Sequence, residues 1–262
     1  MTTNPSNDVF SVAGKRVLIT GGLSGLGRAV AESFAAQSAV VSVIGSSVPA
    51  YGSDELPGVR AVRGDVADAS ISDVVAGEIE YLGGLDILFA NAGVSGDSTS
   101  GEGGVSGIEG VDWKLWDRVH AVNVDGVARV VAAAAPTLKA QRSGRIVITA
   151  SIAGVRANAN LALSYQSSKA ASIALVKGLA LEFAPYGVHV NGIAPGPFAT
   201  GIGGGVFRTE AGAEKAARVV PLGRVGLPQE IVGTVQLLAS EASSYLTGAI
   251  IPIDGGATAG AR

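Results

Sequence analysis

A regular alternation of short apolar runs with helical stretches constrains the fold of this 262-residue chain more than any other feature. Each run has the length of a β-strand, and apolar residues in most of the intervening segments recur every three or four positions. The seven runs are Lys15–Thr20, Val40–Ile44, Val59–Val66, Leu85–Ala90, Gly144–Ser151, Val188–Gly196 and Gly248–Asp254. Because each parallel return needs a right-handed crossover, this order predicts an α/β fold with a doubly wound, parallel, seven-stranded sheet.

Length and composition fit one large domain. The chain shows no compositional break, 47% of its residues are hydrophobic, only 5% are aromatic, and 38 are glycine. Small and β-branched residues suit close packing of helices on a parallel sheet. We expect a flexible arm over residues 1–13 and a single domain over 14–262. A Gly-rich stretch at about 197–218 without clear periodicity is predicted to be a lid, and an ordinary surface excursion is the alternative.

Several classes of protein are disfavoured by composition. The net charge of −3 gives no basic excess, which argues against nucleic acid as a partner. The chain has no cysteine, which excludes disulfide and thiolate chemistry, and no cluster of metal ligands is recognisable. The first residues are polar, and no uninterrupted apolar stretch reaches about 18 residues. A cytoplasmic protein without a membrane span is therefore predicted.

A glycine-rich loop follows the first strand. It reads G-G-L-S-G-L-G over residues 21–27 and leads directly into a helical stretch. Strand, glycine loop and helix in this order are the context of dinucleotide binding, because Gly21, Gly25 and Gly27 let a pyrophosphate approach backbone N–H groups. A plain turn is the alternative, since the spacing is G-x-x-x-G-x-G. The context favours a nucleotide site in a Rossmann fold.

The end of the second strand bears on the choice of cofactor. A carboxylate there would bind the adenosine ribose and repel a 2′-phosphate, whereas an arginine would attract the phosphate. The chain has Gly45, Ser46 and Ser47 instead. Without a carboxylate, two hydroxyls and a turn backbone favour NADP(H) over NAD(H), although the choice stays close to open. Alternatively, the two serines are only turn residues.

Polar side chains follow the next strands, at what should be the same edge of the sheet. Asp65 ends the third strand and is placed to touch an adenine edge, or alternatively to cap a helix. Asn91 follows the fourth strand and Ser151 the fifth. Asn123 lies inside a predicted helix over 116–140, where it is either solvated or a buried group that holds water or backbone.

Tyr165 and Lys169 lie four residues apart in a segment with helical periodicity, so they share a helix face. A phenol has a pKa of about 10 and transfers protons poorly near neutrality unless its anion is stabilised. An ammonium group one turn away stabilises that anion. Ser151 adds a hydroxyl that can donate to a developing alkoxide. A solvated helix face is the alternative for the pair.

The chain resembles the short-chain dehydrogenase/reductase superfamily in its compact, single-domain form, from about Lys15 to Gly256. The resemblance rests on an ordered set of motifs. These are T-G-G-L-S-G-L-G (20–27), N-A-G (91–93), Asn123, Ser151, Y-Q-S-S-K (165–169), P-G-P-F-A-T (195–200) and I-D-G-G (253–256). The combination implies an NAD(P)(H)-dependent oxidoreductase that interconverts a ketone and a secondary alcohol.

The resemblance also implies roles for particular residues. Tyr165 would be the general acid or base, Lys169 would favour its phenolate form and hold the nicotinamide ribose, Ser151 would polarise the carbonyl, and Asn123 would position a water. Ile193 and Thr200 would face the nicotinamide carboxamide. The full set implied for the cofactor is Gly21, Ser24, Gly25, Leu26, Gly27, Gly45, Ser46, Ser47, Asp65, Val66, Asn91, Ala92, Gly93, Tyr165, Lys169, Ile193, Pro195, Gly196 and Thr200. Ser24 departs from the pattern of many NADP-preferring members of the family, which carry a basic residue at this position. This departure argues against the NADP(H) preference.

The predicted substrate pocket is apolar. It comprises Val94, Ile152, Leu161, Phe198, Ile202 and Phe207, with one polar contact from Asn158 or Asn160. This favours a carbonyl reductase that acts on a neutral, moderately hydrophobic, cyclic or aryl substrate. An NAD(H)-dependent alcohol dehydrogenase of a catabolic pathway and a non-catalytic dinucleotide-sensing protein are the alternatives. The long apolar helices and the resemblance together predict a homotetramer.

Overall fold

The computed structural model describes residues 8–47, 56–96 and 107–260. Their strands form one parallel sheet in the order β3-β2-β1-β4-β5-β6-β7. The strands are β1 Arg16–Thr20, β2 Val40–Gly45, β3 Val59–Arg63, β4 Ile87–Ala90, β5 Gly144–Thr149, β6 Val188–Pro195 and β7 Ile250–Ile253. This topology confirms the predicted doubly wound, seven-stranded α/β fold, and no helix in the described ranges is long and apolar enough to span a membrane.

Helices cover both faces of the sheet. They are α1 Gly25–Ala36, α2 Ile71–Leu82, α3 Trp113–His120, α4 Gly126–Gln141, α5 Leu163–Phe183, α6 Glu210–Ala217 and α7 Val232–Ala239. The pleat of β1 sends Leu18 into a core with α2, α4 and α5, and it sends Ile19 into a second core with α1 and α7. Burial on both faces explains why the strands read as continuous apolar runs.

The strand order changes direction between β1 and β4, and a crevice opens there at the carboxyl edge of the sheet. Thr20 ends β1 opposite Ala90, the last residue of β4. The Thr20 hydroxyl oxygen accepts hydrogen bonds from the backbone N–H groups of Asn91, at 3.1 Å, and Ala92, at 3.2 Å. The glycine loop and the N-A-G segment are therefore fixed side by side.

Two segments differ from the sequence-based expectation. The helix predicted over 116–140 is two helices, α3 and α4, joined by a π-helical turn at Ala121–Asp125. The segment 197–218 contains a 3₁₀ turn at Ile202–Arg208, followed by α6. The Thr209 side chain caps α6 by accepting from the Gly212 N–H at 3.2 Å. This segment is more regular than its glycine content suggests, and its movement as a lid stays a prediction.

Residues 8–13, predicted as part of an N-terminal arm, pack against the domain. Residues 1–7 lie outside the described part of the chain, but Val12 is fully buried in the core shared with α1 and α7. The backbone N–H of Ala242 donates to the Val9 carbonyl at 2.9 Å, and the Gln236 amide donates to the Phe10 carbonyl at 2.9 Å. Residues 8–13 therefore belong to the domain.

Candidate active site

A cavity of about 670 Å³ opens at the crevice beside the carboxyl ends of β1, β4, β5 and β6. The glycine loop, the segment after β4, the end of β5, the start of α5 and the segment after β6 line it. Thirteen of the predicted catalytic and cofactor residues line this cavity: Gly21, Ser24, Gly25, Leu26, Asn91, Ala92, Gly93, Ser151, Tyr165, Lys169, Pro195, Gly196 and Thr200. All six residues of the predicted substrate pocket line it too: Val94, Ile152, Leu161, Phe198, Ile202 and Phe207.

Tyr165 and Lys169 lie one turn apart on α5. The Lys169 Nζ atom is 6.0 Å from the centroid of the Tyr165 ring. Lys169 is only 2% exposed, and its Nζ donates to the Thr149 carbonyl at the end of β5, at 2.8 Å. Burial disfavours the ammonium form and lowers the pKa of Lys169 to about 8. The Lys169 side chain is therefore mostly charged at neutral pH, and it loses its proton as the pH rises through about 8.

The Ser151 hydroxyl reaches the same cavity from the segment after β5. It accepts a hydrogen bond from the Ala153 N–H at 3.1 Å and donates to the Pro195 carbonyl at 3.4 Å. The first contact fixes the oxygen, whereas the second is long for an O–H donor. The proton of Ser151 is therefore readily turned toward another acceptor in the cavity.

Asn123 is fully buried in the π-helical turn, and it does not line the cavity. Its Oδ1 accepts from the Val94 N–H and its Nδ2 donates to the Val94 carbonyl, both at 2.9 Å. The Nδ2 also donates to the Ser168 hydroxyl at 3.0 Å. Of the two sequence interpretations, the structure agrees with the buried group that holds backbone, which here ties the segment after β4 to α5. A water at Asn123 stays a prediction.

Glycine is required in the loop for two different reasons. Gly21 and Gly25 have φ angles of +66° and +53°, in the region that side chains rarely adopt. A Cβ on Gly27 would lie 2.3 Å from the Gly21 carbonyl oxygen, so this residue permits α1 to pack against the loop. Gly27 does not line the cavity, unlike the first two residues of α1, Gly25 and Leu26.

The residues predicted for the adenosine end lie outside the cavity lining. These are Gly45, Ser46, Ser47, Asp65 and Val66. β3 stops at Arg63, so Asp65 lies in the following loop, and Ser70 holds the N-cap position of α2. Asp65 accepts from the Arg118 guanidinium at 2.9 Å and from the Ala67 N–H at 3.0 Å.

Burial raises the pKa of the Asp65 carboxyl, but the hydrogen bonds from Ala67 and Arg118 outweigh it and hold that pKa below its usual value. The group is therefore an anion whose charge is balanced by Arg118. Val66 is buried in the core, where its side chain fills the space that a Cβ on Gly126 would need.

Ile193 lies outside the lining of the cavity, and its contact with a nicotinamide carboxamide stays a prediction. Its side chain is fully buried in the core shared with α1 and α7. Other cavity residues were missed, of which Leu115 and Arg118 on α3 are the most informative. Their three-residue spacing places them on one helix face, a signal that periodicity contained. The further unpredicted lining residues are Ser95, Gly96, Thr149, Ala150, Pro197 and Gly201.

A glycine cradle and a Tyr–Lys pair at the switch point of a doubly wound sheet define a dinucleotide-dependent enzyme. Comparison with known proteins agrees. The family model described as enoyl-(acyl carrier protein) reductase matches residues 21–258. Sorbose reductase of Candida albicans is 38% identical over 97% of this chain and 91% of its own length. Cyclohexanol dehydrogenase of a Rhodococcus species is 35% identical over 96% of this chain and 98% of its own length.

Among solved structures, NADPH-dependent 3-quinuclidinone reductase of Rhodotorula rubra is similar, with a TM-score of 0.85 and 30% identity. The match covers 99% of this chain and 98% of the reductase. The chain belongs to the short-chain dehydrogenase/reductase superfamily. It is an NAD(P)-dependent oxidoreductase that acts on CH–OH groups.

Proposed function

We propose that the protein is a carbonyl reductase that interconverts a ketone and a secondary alcohol of neutral, moderately hydrophobic, cyclic or aryl character. The observation that carries this proposal is the meeting of Tyr165, buried Lys169 and Ser151 in one largely apolar cavity. A bound nicotinamide cofactor supplies or accepts the hydride. The residues of the chain bind the reactants, orient the carbonyl and move the proton.

The cavity fits a dinucleotide at its glycine end. Gly21 and Gly25 leave the backbone bare of side chains, and α1 begins at the cavity wall, where helix N–H groups favour an anion. The Ser24 side chain makes no capping hydrogen bond to this helix. The first turn of α1 contains no acidic residue either. A pyrophosphate therefore finds backbone N–H donors there that no side-chain acceptor occupies.

NADP(H) is the proposed preference. The described residues at the end of β2, Gly45 to Ser47, bring no carboxylate that would repel a 2′-phosphate. Ser46 and Ser47 are exposed and offer hydroxyl groups. The similarity to an NADPH-dependent reductase supports the same preference.

Proton transfer is assigned to Tyr165. In reduction its hydroxyl donates a proton to the substrate oxygen as negative charge builds there, and Ser151 stabilises the same oxygen by turning its proton from Pro195. The Lys169 ammonium, held at the Thr149 carbonyl, favours the phenolate that remains. In oxidation the phenolate accepts the alcohol proton, so one arrangement serves both directions.

A neutral substrate is favoured by the charges in the cavity. Of the described residues that line it, Lys169 and Arg118 alone carry charge, and Arg118 is paired with Asp65. The substrate end is apolar, with Phe198 almost completely buried. Ile202 and Phe207 come from the 3₁₀ turn of the segment 197–218, which we propose closes over the reactants and excludes water.

We also propose that the chain acts as a homotetramer in the cytoplasm. Trp113, Leu163 and Leu181 are large apolar residues on α3 and α5 that are 41–80% exposed in a single chain. Burying such residues in a subunit contact would remove apolar surface from water. Light scattering that gives the mass of a monomer would refute the assembly.

The function is tested by following nicotinamide absorbance with cyclic, aryl and acyl ketones, with NADPH and NADH in parallel. Oxidation of NADPH in preference to NADH supports the reductase. Preference for NADH, together with faster turnover of the alcohols, would favour a catabolic alcohol dehydrogenase, as the similarity to cyclohexanol dehydrogenase also allows. Tight binding of either cofactor without turnover of any substrate would favour the sensing protein instead.

A further inference from the structure

Gln166, the residue after Tyr165, fastens the loop of residues 155–161 to α5. Its Nε2 donates to the carbonyl oxygens of Asn158, at 3.0 Å, and Leu161, at 2.8 Å. Its Oε1 accepts from the Asn158 backbone N–H at 2.8 Å. Three hydrogen bonds from one side chain thus fix the position of this loop beside the catalytic tyrosine.

The hydrogen bonds also determine which way each amide group points. A backbone N–H only donates and a carbonyl only accepts, so the Gln166 amide has a single satisfactory orientation. The same reasoning applies to Asn158, whose Oδ1 accepts from the Asn160 N–H at 2.9 Å. The NH₂ group of Asn158 must therefore lie on the other side of its amide.

Asn158 is the polar residue that this loop contributes to the cavity. It lines the same cavity as Ser151 and Tyr165, beside the apolar side chains of Ile152 and Leu161. Asn160 does not line it. Within the described part of the chain, the Nδ2 of Asn158 has no hydrogen-bond partner. The loop thus offers the two N–H donors of this amide to a substrate, whereas its Oδ1 already accepts one hydrogen bond from the chain.

We infer that Gln166 is a positioning residue that holds Asn158 as a hydrogen-bond donor, and that the enzyme therefore selects ketones with a second neutral oxygen. A hydroxyl or a ring ether supplies such an acceptor, whereas a hydrocarbon ketone does not. This inference rests on the proposed function and specifies its substrate class. It also explains why the loop needs a firm attachment: a donor on an unattached loop would discriminate poorly between substrates.

The test compares cyclohexanone with tetrahydropyran-3-one, which differ by one CH₂ group replaced by oxygen. For the wild-type protein we expect kcat/KM to favour the oxygen-containing ketone by about 3- to 10-fold, the worth of one neutral hydrogen bond. Asn158→Asp keeps the acceptor for the Asn160 N–H but replaces the donor by a second acceptor. It should abolish or reverse the preference. Asn160→Ala keeps its backbone N–H and should retain the wild-type ratio.

Gln166→Glu removes both donated hydrogen bonds and places a carboxylate against two carbonyl oxygens. The preference should fall toward unity through a higher KM for tetrahydropyran-3-one, and kcat/KM for cyclohexanone should fall by less. Gln166→Met, which loses the same donor without adding charge, is the second variant if the first does not fold. Thermal unfolding of each variant separates folding from recognition.

A wild-type ratio in Asn158→Asp would overturn the role of the donor, and a wild-type ratio in a folded Gln166 variant would overturn the positioning role. Equal kcat/KM for the two ketones in the wild-type protein would refute the inference and leave the carbonyl reductase standing. Absence of turnover with these and all other ketones would instead refute the proposed function, on which the inference rests.

Discussion

Replacing Lys169 by methionine is expected to stabilise the cofactor-free protein while it abolishes catalysis. Lys169 is 2% exposed, and its burial lowers the pKa from 10.5 to about 8. A difference of 2.5 pKa units corresponds to about 3 kcal/mol of lost folding stability at neutral pH. Methionine removes that cost but leaves the Thr149 carbonyl without its donor, at about 1–3 kcal/mol. The expected net stabilisation is about 0–2 kcal/mol.

The pH dependence gives the sharper test. The folded pKa of Lys169 lies below the unfolded value, so the unfolded chain binds more protons between about pH 8 and 10.5. The cost of burying Lys169 is therefore fully present below about pH 8 and is relieved as the pH rises through this window. The free energy of unfolding of the wild-type protein should gain about 1 kcal/mol relative to Lys169→Met between about pH 7 and 9.

The assay is denaturant unfolding of the two cofactor-free proteins at both pH values, compared as a difference so that other titrations cancel. Lys177→Met is the matched control, because Lys177 is exposed on the same helix. The part of the pH-dependent difference for Lys169→Met that exceeds the difference for Lys177→Met is the part that burial of Lys169 explains. A pH-independent difference for Lys169→Met would refute the reasoning that Lys169 is a desolvated ammonium group.

Three further substitutions test the site. Gly27→Ala should destabilise the fold by about 1–3 kcal/mol in thermal unfolding, because its Cβ would meet the Gly21 carbonyl at 2.3 Å; wild-type stability would contradict this close packing. Asn123→Ala should cost at least about 2 kcal/mol by the same measurement, since both backbone groups of Val94 lose their partner, and a smaller loss would mean that they find others. Gly45→Asp should shift the ratio of kcat/KM from NADPH toward NADH by at least about tenfold, and an unchanged ratio would place the 2′-phosphate elsewhere.

The sheet was predictable because its strands are buried on both faces. Apolar runs of strand length, separated by helical stretches, leave few alternatives to a doubly wound sheet, and each run overlaps one of the seven strands. Tyr165 and Lys169 were predictable for a similar reason, since four-residue spacing on a helix determines a common face. Ser151 followed from the rule that parallel strands end at the same edge.

Features set by long-range contacts could not be predicted in this way. The partner of Asp65 is Arg118, 53 residues away, and no local pattern links the two. Continuous burial of β6 hides which of its side chains face the cavity and which, like that of Ile193, face the core. The π-helical turn that contains Asn123 has the same residue types as an α-helix, and only the backbone of the folded chain distinguishes them.

The segment 197–218 is an intermediate case. Its glycines disfavour a helix prediction, yet the segment contains α6. Thr209 followed by Glu210, an ordinary capping pattern, marks the start of this helix. That cap is the local signal for α6. The preceding 3₁₀ turn contains Gly204 and Gly205 at φ angles of +69° and +77°, which no periodicity signals.

The role of Tyr165 is tested most directly by Tyr165→Phe, with turnover followed by nicotinamide absorbance and NADPH binding measured by fluorescence titration. Removal of the hydroxyl should lower kcat by at least about 100-fold, the contribution expected of a general acid, while the dissociation constant for NADPH changes by no more than about twofold. Turnover at the wild-type rate in a variant that still binds the cofactor would contradict the proton transfer assigned to Tyr165.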